Sequence, residues 1–253
     1  MLSLASARFA LGTARFSAAA GEVLAALREF RLAAARERAD AAIQDAETRI
    51  AGIVAHDEHA ANLGRLLVLH FGCLSSVAQF WHEALDGDFR AAWDHLIGAE
   101  NTIRAIHRNS TDAGSHGLLA LAEQLDLVQR LYPYSIFSSM EMLASAEQCS
   151  ACGLSPWDPA CQHRAGEIAK GQVVCITVQQ AKLIGLALTS RPKDKRLVIL
   201  PTEGTPDYSR VEALVAAARS PLVRLVVQAG HRMSIDGVID LYGPGTYPSV
   251  ITR

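Results

Sequence analysis

Residues 62–84 read NLGRLLVLHFGCLSSVAQFWHEA, and this stretch governs the architecture of the chain. Its large apolar side chains recur every three or four positions, which is the spacing of one face of an α-helix. That face is formed by Leu63, Leu66, Leu67, Leu74, Val77 and Trp81. The stretch therefore predicts an amphipathic helix that needs other helices to cover its apolar side.

Helical patterns lie on both sides of this stretch. Residues 21–55 are rich in Ala, Glu and Arg, contain no proline, and predict one long helix of about 35 residues. Asp86-Gly87-Asp88 interrupts the pattern, and Asp88 is a typical N-cap for a third helix. A fourth helix contains Leu118 and ends before Pro133. Four amphipathic helices joined by short turns predict a helical bundle.

The composition limits the classes of function that fit the chain. The 253 residues carry a net charge of −2, and 20% are charged, so nothing in the overall charge favours nucleic acid or acidic membranes. Residues 66–81 have no charge but include His70 and Gln79. Because a membrane span needs roughly 20 mostly apolar residues, we predict no membrane segment.

Four side chains with the chemistry of metal ligands follow the bundle. Cys149-Ser-Ala-Cys152 is separated by eight residues from Cys161-Gln-His163. Thiolates and an imidazole are the usual ligands of tetrahedral Zn²⁺, and four protein ligands leave no open position for a substrate. The spacing therefore predicts structural zinc at Cys149, Cys152, Cys161 and His163, with Cys175 as an alternative to His163.

The distribution of the cysteines agrees with a metal site in a reducing compartment. Their number is five, and Cys149, Cys152, Cys161 and Cys175 lie close together in the sequence. A secreted disulfide framework would favour an even number with wider spacing. We therefore predict a cytoplasmic protein.

The hydrophobic pattern changes around the metal motif. Ser138-Ser-Met-Glu141 has the pattern of a capping box and predicts a short helix before the motif. Residues 173–178, 197–200 and 222–227 are β-type runs, and residues 206–219 form an amphipathic helix pattern. Residues 197–200, 206–219 and 222–227 predict a strand, a helix and a strand that form one right-handed βαβ unit.

These patterns together predict a mainly α, α+β protein in three parts. An N-terminal helical bundle occupies residues 1–132, a zinc-stabilised connector follows over residues 133–175, and a small βαβ-like tail occupies residues 176–253.

The metal motif also resembles a known module. Cys149-Ser-Ala-Cys152-Gly, Cys161-Gln-His163-Arg-Ala-Gly166 and Gly171 are similar to a zinc module of uncharacterised bacterial and phage-encoded proteins. There a helical region precedes the module, and a Pro-x-Asp-Lys-like stretch follows it, matched here by Pro192-Lys-Asp194-Lys195. Ala169 departs from the family, which has an aromatic residue there. The resemblance implies a zinc site; the family has no assigned activity.

Two other patterns suggest functional sites. Arg65 with His70, and Arg90 with His95, have the Arg-x4-His spacing that resembles the catalytic motif of helical ribonucleases of the HEPN type. An apolar residue follows each arginine, where that motif has a polar one. These residues are candidate catalytic groups, and a buried core histidine is the simpler interpretation of His70.

A basic run lies after the metal motif. It contains Arg191, Lys193, Lys195 and Arg196. A zinc loop beside basic residues is typical of nucleic-acid-binding modules, whereas a solvated turn between two strands would have the same composition.

The predicted function follows from the metal motif and the bundle. We expect a zinc-binding, non-enzymatic component of a bacterial assembly that is linked to phage or defence genes and binds a protein or a nucleic acid. A protein partner or a second copy would bind through the long N-terminal helix. The alternative is a HEPN-like ribonuclease.

Overall fold

The computed structural model describes residues 13–109, 118–192, 194–200 and 205–218. Within these residues, five helices form the N-terminal part: α1 (Thr13–Arg28), α2 (Leu32–Ile53), α3 (Glu58–Asp86), α4 (Phe89–Asn109) and α5 (Leu118–Gln129). The remaining elements are β1 (Phe137–Cys149), β2 (Ile168–Ala169), β3 (Gln172–Val173), β4 (Ile176–Thr189) and α6 (Ser209–Ala218). The predicted mainly α, α+β class with an N-terminal bundle is confirmed.

Helix α3 is the centre of the bundle, and both of its ends are capped. The side chain of Asp57 accepts the N–H of Ala60 at 3.0 Å, and Gly87 ends the helix with φ +85°. Asp88 accepts the N–H of Ala91 at 2.9 Å, which confirms the predicted N-cap of α4.

Two apolar cores meet on α3. On one side, the buried alanines of α2 recur every three or four residues and allow close approach to Leu67, Phe71 and Leu74. On the other side, Leu66 and Phe80 pack with α4 and α5 around Trp93. Helix α3 is long and apolar enough to cross a membrane, but 56% of its most apolar window is buried in the protein. That burial is typical of a core helix.

The predicted long helix over residues 21–55 is wrong, because the chain breaks between α1 and α2. Phe30 adopts φ +59°, its N–H bonds to the carbonyl of Leu27, and the N–H of Arg31 bonds to the carbonyl of Ala26. These two hydrogen bonds form a Schellman motif. The break allows α1 to fold back on α2 and α3, and the Phe30 ring packs 5.4 Å from that of Trp81.

The short helix predicted at Ser138–Glu141 is also wrong, because these residues belong to β1. Strand β1 pairs antiparallel with β4 from Phe137 opposite Thr189 to Cys149 opposite Ile176, with irregularities in the register. The backbone N–H and C=O groups of these residues therefore form hydrogen bonds with β4, and no capping box is formed. We call this two-stranded β1–β4 sheet the ribbon.

The predicted βαβ tail is described only in part. Residues 197–200 form no strand; Val198 makes a single antiparallel bridge to Phe137. Helix α6 confirms the helix that was predicted over residues 206–219. The last predicted strand, residues 222–227, lies outside the described residues.

Candidate metal centre

The four predicted metal ligands meet in the segment that connects β1 to β4. Cys149 is the last residue of β1, and Cys152, Cys161 and His163 follow before the small β2–β3 hairpin. One potential ligand atom from each residue lies within 4.8 Å of those of the other three. Residues 150–175 are called the metal loop below.

A tight turn brings the first two cysteines together. Gly153 has φ +75°, a conformation that glycine adopts without strain. Its N–H bonds to the carbonyl of Cys149 at 2.8 Å, and the N–H of Cys149 bonds to the carbonyl of Leu154 at 2.8 Å. Gln148 closes the turn, because its Nε2 donates to the carbonyl of Gly153 at 2.8 Å.

An aspartate turn positions the second pair. The carboxylate of Asp158 accepts the N–H of Ala160 at 2.8 Å, and its carbonyl accepts the N–H of Cys161 at 2.8 Å. The Sγ atoms of Cys152 and Cys161 are 3.6 Å apart. This distance is far above the roughly 2.05 Å of a disulfide bond, so the thiols approach each other without a covalent bond.

The electrostatics of the thiols favour a bound cation. Burial acts to raise the pKa of Cys149, but hydrogen bonds from the N–H groups of Ala151 and Cys152 hold it below its ordinary value. A hydrogen bond with the backbone of His163 acts to lower the pKa of Cys161. Burial and the neighbouring thiols act in the opposite direction, and the pKa of Cys161 is raised overall. The neighbouring thiols thus favour the ionisation of Cys149 and disfavour that of Cys161, and a positive ion between them would stabilise both thiolates.

His163 supplies an independent indication that the group fits a metal. Its Nδ1 atom is buried and has no hydrogen-bond partner among the described residues. A buried polar atom without a partner is costly unless another group satisfies it, and coordination to a metal would do so. Cys175 is exposed and lies outside the four-residue group, with its Sγ 3.6 Å from the carbonyl of Val173.

The β2–β3 hairpin fixes the metal loop to the bundle. Lys170 and Gly171 form its turn with φ +50° and +70°. The N–H of Lys170 donates to Glu58 Oε1 at 2.9 Å, and the N–H of Gly171 donates to Asn62 Oδ1 at 2.7 Å. Arg65 Nε donates to the carbonyl of Gly171 at 2.7 Å. The first two turns of α3 thus hold both residues of the hairpin turn.

A second contact fixes the start of the hairpin to the end of α4. The side chain of Asn109 accepts the N–H of Ile168 and donates to the carbonyl of Gly166, each at 2.8 Å. Arg108 donates to the carbonyl of Ala165 at 2.9 Å. The sequence did not identify Asn62 or Asn109, because nothing local distinguishes an asparagine that binds a distant backbone.

Arg65 and His70, the first Arg-x4-His pair, both lie on α3. Arg65 binds both carboxylate oxygens of Glu47, at 2.6 and 2.8 Å, in addition to Gly171. His70 is only 1% exposed and lies edge-on to Phe71, with ring centroids 6.2 Å apart. Arg65 therefore joins α2, α3 and the metal loop.

The second pair, Arg90 and His95, lies on α4. Arg90 donates to Asp94 and to the carbonyl of Arg196, each at 2.7 Å. Burial lowers the pKa of His95, and Glu83 acts in the opposite direction. Arg90 therefore bonds within its own helix and to the segment that follows the ribbon.

Part of the basic run is engaged within the protein. Lys195 Nζ lies 3.0 and 3.1 Å from the carboxylate oxygens of Glu100 and 2.6 Å from Gln129 Oε1. Arg196 pairs with Asp194 at 2.6 Å. Arg191 is exposed, and Lys193 lies outside the described residues.

No protein-family model, curated protein or solved structure matches this chain.

Proposed function

We propose that the protein binds one Zn²⁺ through Cys149, Cys152, Cys161 and His163, and that the ion has a structural role. The clustering of these four side chains carries the proposal. Tetrahedral zinc with Zn–S bonds of about 2.3 Å separates two sulfur ligands by about 3.8 Å. The 3.6 Å between Cys152 and Cys161 Sγ is close to that separation.

The small core of the metal loop supports a structural role. The buried side chains of its core cluster are Cys149, Ala151, Ala169 and Val174. Such a core buries little apolar surface, so the stabilisation from burial is small compared with the conformational entropy lost when the loop is ordered. Metal coordination would supply the missing stability, since binding to a site formed only in the folded state adds directly to folding free energy.

The wider role that we propose is that of a cytoplasmic, non-enzymatic component of a bacterial assembly. The resemblance of the metal motif to modules in bacterial and phage-encoded proteins supports that setting. The exposed side chain of Trp157, on the metal loop, supports a role in binding, because exposed tryptophans are enriched among residues that dominate interfaces. Nucleic acid is one partner that this proposal includes. Arg191 would contact it, because Arg191 is the exposed residue of the basic run whose side chain has no ion pair within the described residues.

Elemental analysis of the purified protein tests the metal site. We expect about one zinc per chain in the wild type and none in a Cys149→Ser/Cys152→Ser variant, which should also melt at a lower temperature. Cys175→Ser is the matched control, because Cys175 lies outside the ligand group; it should keep the zinc. A well-folded wild type without zinc, or loss of zinc in Cys175→Ser, contradicts the assignment.

A further inference from the structure

The turn of the β2–β3 hairpin contains a lysine at a position where the backbone favours other residues. Ala169 pairs with Gln172, so Lys170 and Gly171 form a two-residue turn, and both have positive φ. Asparagine and glycine dominate the first position of such turns, because most side chains are strained at positive φ. Lys170 is therefore not explained by the conformation of the turn, and the contacts of its side chain give it another role.

The ammonium of Lys170 binds a peptide group that lies between two of the metal ligands. Its Nζ donates to the carbonyl of Ala151 at 3.0 Å. The same peptide group contains the N–H of Cys152, and that N–H donates a hydrogen bond to the sulfur of Cys149. The ammonium and the sulfur are therefore bound to opposite ends of one peptide group.

Gln172, on the other side of the turn, makes a similar contact without a charge. Its Nε2 donates to the carbonyl of Ser150 at 3.4 Å. The N–H of that peptide group belongs to Ala151 and is the other backbone donor to the sulfur of Cys149. The contact of Gln172 is long and neutral, so we expect it to be much weaker than the charged contact of Lys170.

The charge of the proposed zinc site gives the ammonium an effect on metal binding. Three thiolates outweigh the charge of one Zn²⁺ ion, so the loaded site is negative. A cation that binds a peptide carbonyl polarises the peptide group and strengthens the hydrogen bond that its N–H donates. The ammonium of Lys170 therefore makes the N–H of Cys152 a better donor to Cys149, and negative charge on that sulfur is stabilised.

The backbone of the same turn is bound to the bundle. The N–H of Lys170 is held by Glu58 and that of Gly171 by Asn62, both on α3. A turn that is fixed in this way holds the lysine near the ligands before the metal binds. Less conformational entropy is then lost when the ion is bound.

We propose that Lys170 is a positioning residue of the zinc site and raises its affinity for the ion through the peptide group that joins Ala151 to Cys152. This role rests on the zinc binding proposed above. Residues that bind the ligands of a metal site typically change its affinity by roughly 10- to 100-fold. Because Lys170 is exposed and solvent screens its charge, we expect an effect of about 10-fold.

The test is the dissociation constant of zinc, measured on the full chain by competition with a chelator of known affinity. In Lys170→Asn we expect this constant to rise about 10-fold. Asparagine tolerates positive φ and keeps the N–H that bonds to Glu58, but it has no ammonium. The free energy of unfolding in excess chelator should therefore not fall. A merely structural role of Lys170 predicts a lower free energy of unfolding as well.

Two further variants separate the charge from the fold of the hairpin. Gln172→Met removes the neutral contact and should raise the dissociation constant less than Lys170→Asn does. Lys170→Arg keeps a cation at the turn and should recover most of the affinity. An unchanged constant in Lys170→Asn overturns the proposal, as does an equal rise in Gln172→Met or no recovery in Lys170→Arg.

The wild-type titration separates this proposal from the metal site itself. A wild type that binds no zinc overturns the site and the role of Lys170 together. A wild type that binds zinc with the same affinity as Lys170→Asn overturns only the role of Lys170.

Discussion

The side-chain oxygen of Asn62 accepts the backbone N–H of Gly171 at 2.7 Å, in a buried position between the bundle and the metal loop. The two residues are 109 positions apart in the sequence. Arg65, one helical turn after Asn62, binds the carbonyl of the same glycine. Both backbone groups of Gly171 are therefore held by α3, which makes this residue one of the points that fix the metal loop to the bundle.

Replacement of Gly171 by alanine should destabilise the protein by roughly 2–4 kcal/mol. An added Cβ would lie 2.6 Å from Ile50 Cγ2 and 3.1 Å from Ala61 Cβ, and φ +70° is unfavourable for alanine. The free energy of unfolding in urea measures the effect.

Gly52→Ala is the control for that substitution. A Cβ at Gly52 has nothing within 4 Å, and the residue is inside α2, so alanine should stabilise the protein by about 0.5–1 kcal/mol. A Gly171→Ala protein as stable as the wild type would mean that α3 and the hairpin turn do not approach as described.

Replacement of Asn62 by leucine should cost about 1–3 kcal/mol, because the N–H of Gly171 would stay buried without an acceptor. The exchange rate of the Gly171 amide proton should rise in parallel. Gln44→Ala, at an exposed position on α2, should change stability by less than about 0.5 kcal/mol. Unchanged protection of the Gly171 amide would contradict the role of Asn62.

The sequence predicted the elements that are determined by periodicity and local capping. Helix α3 and the cap at Asp88 are of this kind. The break at Phe30 was missed because a bulky residue rarely adopts positive φ, and it does so here where its ring reaches Trp81. Strand β1 was missed because its partner, β4, lies beyond the metal loop, and pairing at that distance leaves no local pattern.

The candidate site was predicted to a similar degree. Ligand spacing is local, so the four residues that cluster at metal-binding distance could be named from the sequence. The residues that attach the metal loop to the bundle could not, because the amides of Asn62 and Asn109 bind backbone groups, and a backbone partner has no residue type to recognise.

Lys195 should matter for stability more than for binding. Glu100 has a side chain only 15% exposed, and Lys195→Ala would remove its ammonium partner while Arg104 and Gln129 stay bound to it, at a cost of about 1–2 kcal/mol. Arg191→Ala, at an exposed site in the same run, should change stability by less than about 0.5 kcal/mol. Thermal unfolding of both variants distinguishes these effects. Equal stability of the two would argue against a structural role for Lys195.

The non-enzymatic role and the ribonuclease alternative predict different effects of a substitution at His95 on RNA cleavage. A non-enzymatic protein should show the same RNA-cleaving background as its His95→Gln variant in a fluorogenic assay. Loss of cleavage in a variant that keeps its fold and zinc would support the ribonuclease.

His95 also predicts a dependence on pH. Burial lowers its pKa in the folded protein, so near pH 6 the unfolded chain binds more protons than the folded one. Stability should therefore fall as the pH drops through about 6.5, the ordinary pKa of histidine. The difference in unfolding free energy between wild type and His95→Gln, measured at pH 7.5 and 5.5, should shift in favour of the variant. No shift would contradict the burial of this imidazole.

The separation in sequence between the metal loop and its docking site has a consequence for biosynthesis. Lys170 bonds to Glu58 across 112 positions, and Gly171 bonds to Arg65 across 106. On the ribosome, α1 to α4 emerge long before the loop that covers the start of α3. During that interval this surface is open to chaperones and proteases. If zinc orders the loop as proposed, zinc shortage would lengthen the interval, and the cellular abundance of the protein should follow the zinc supply during translation.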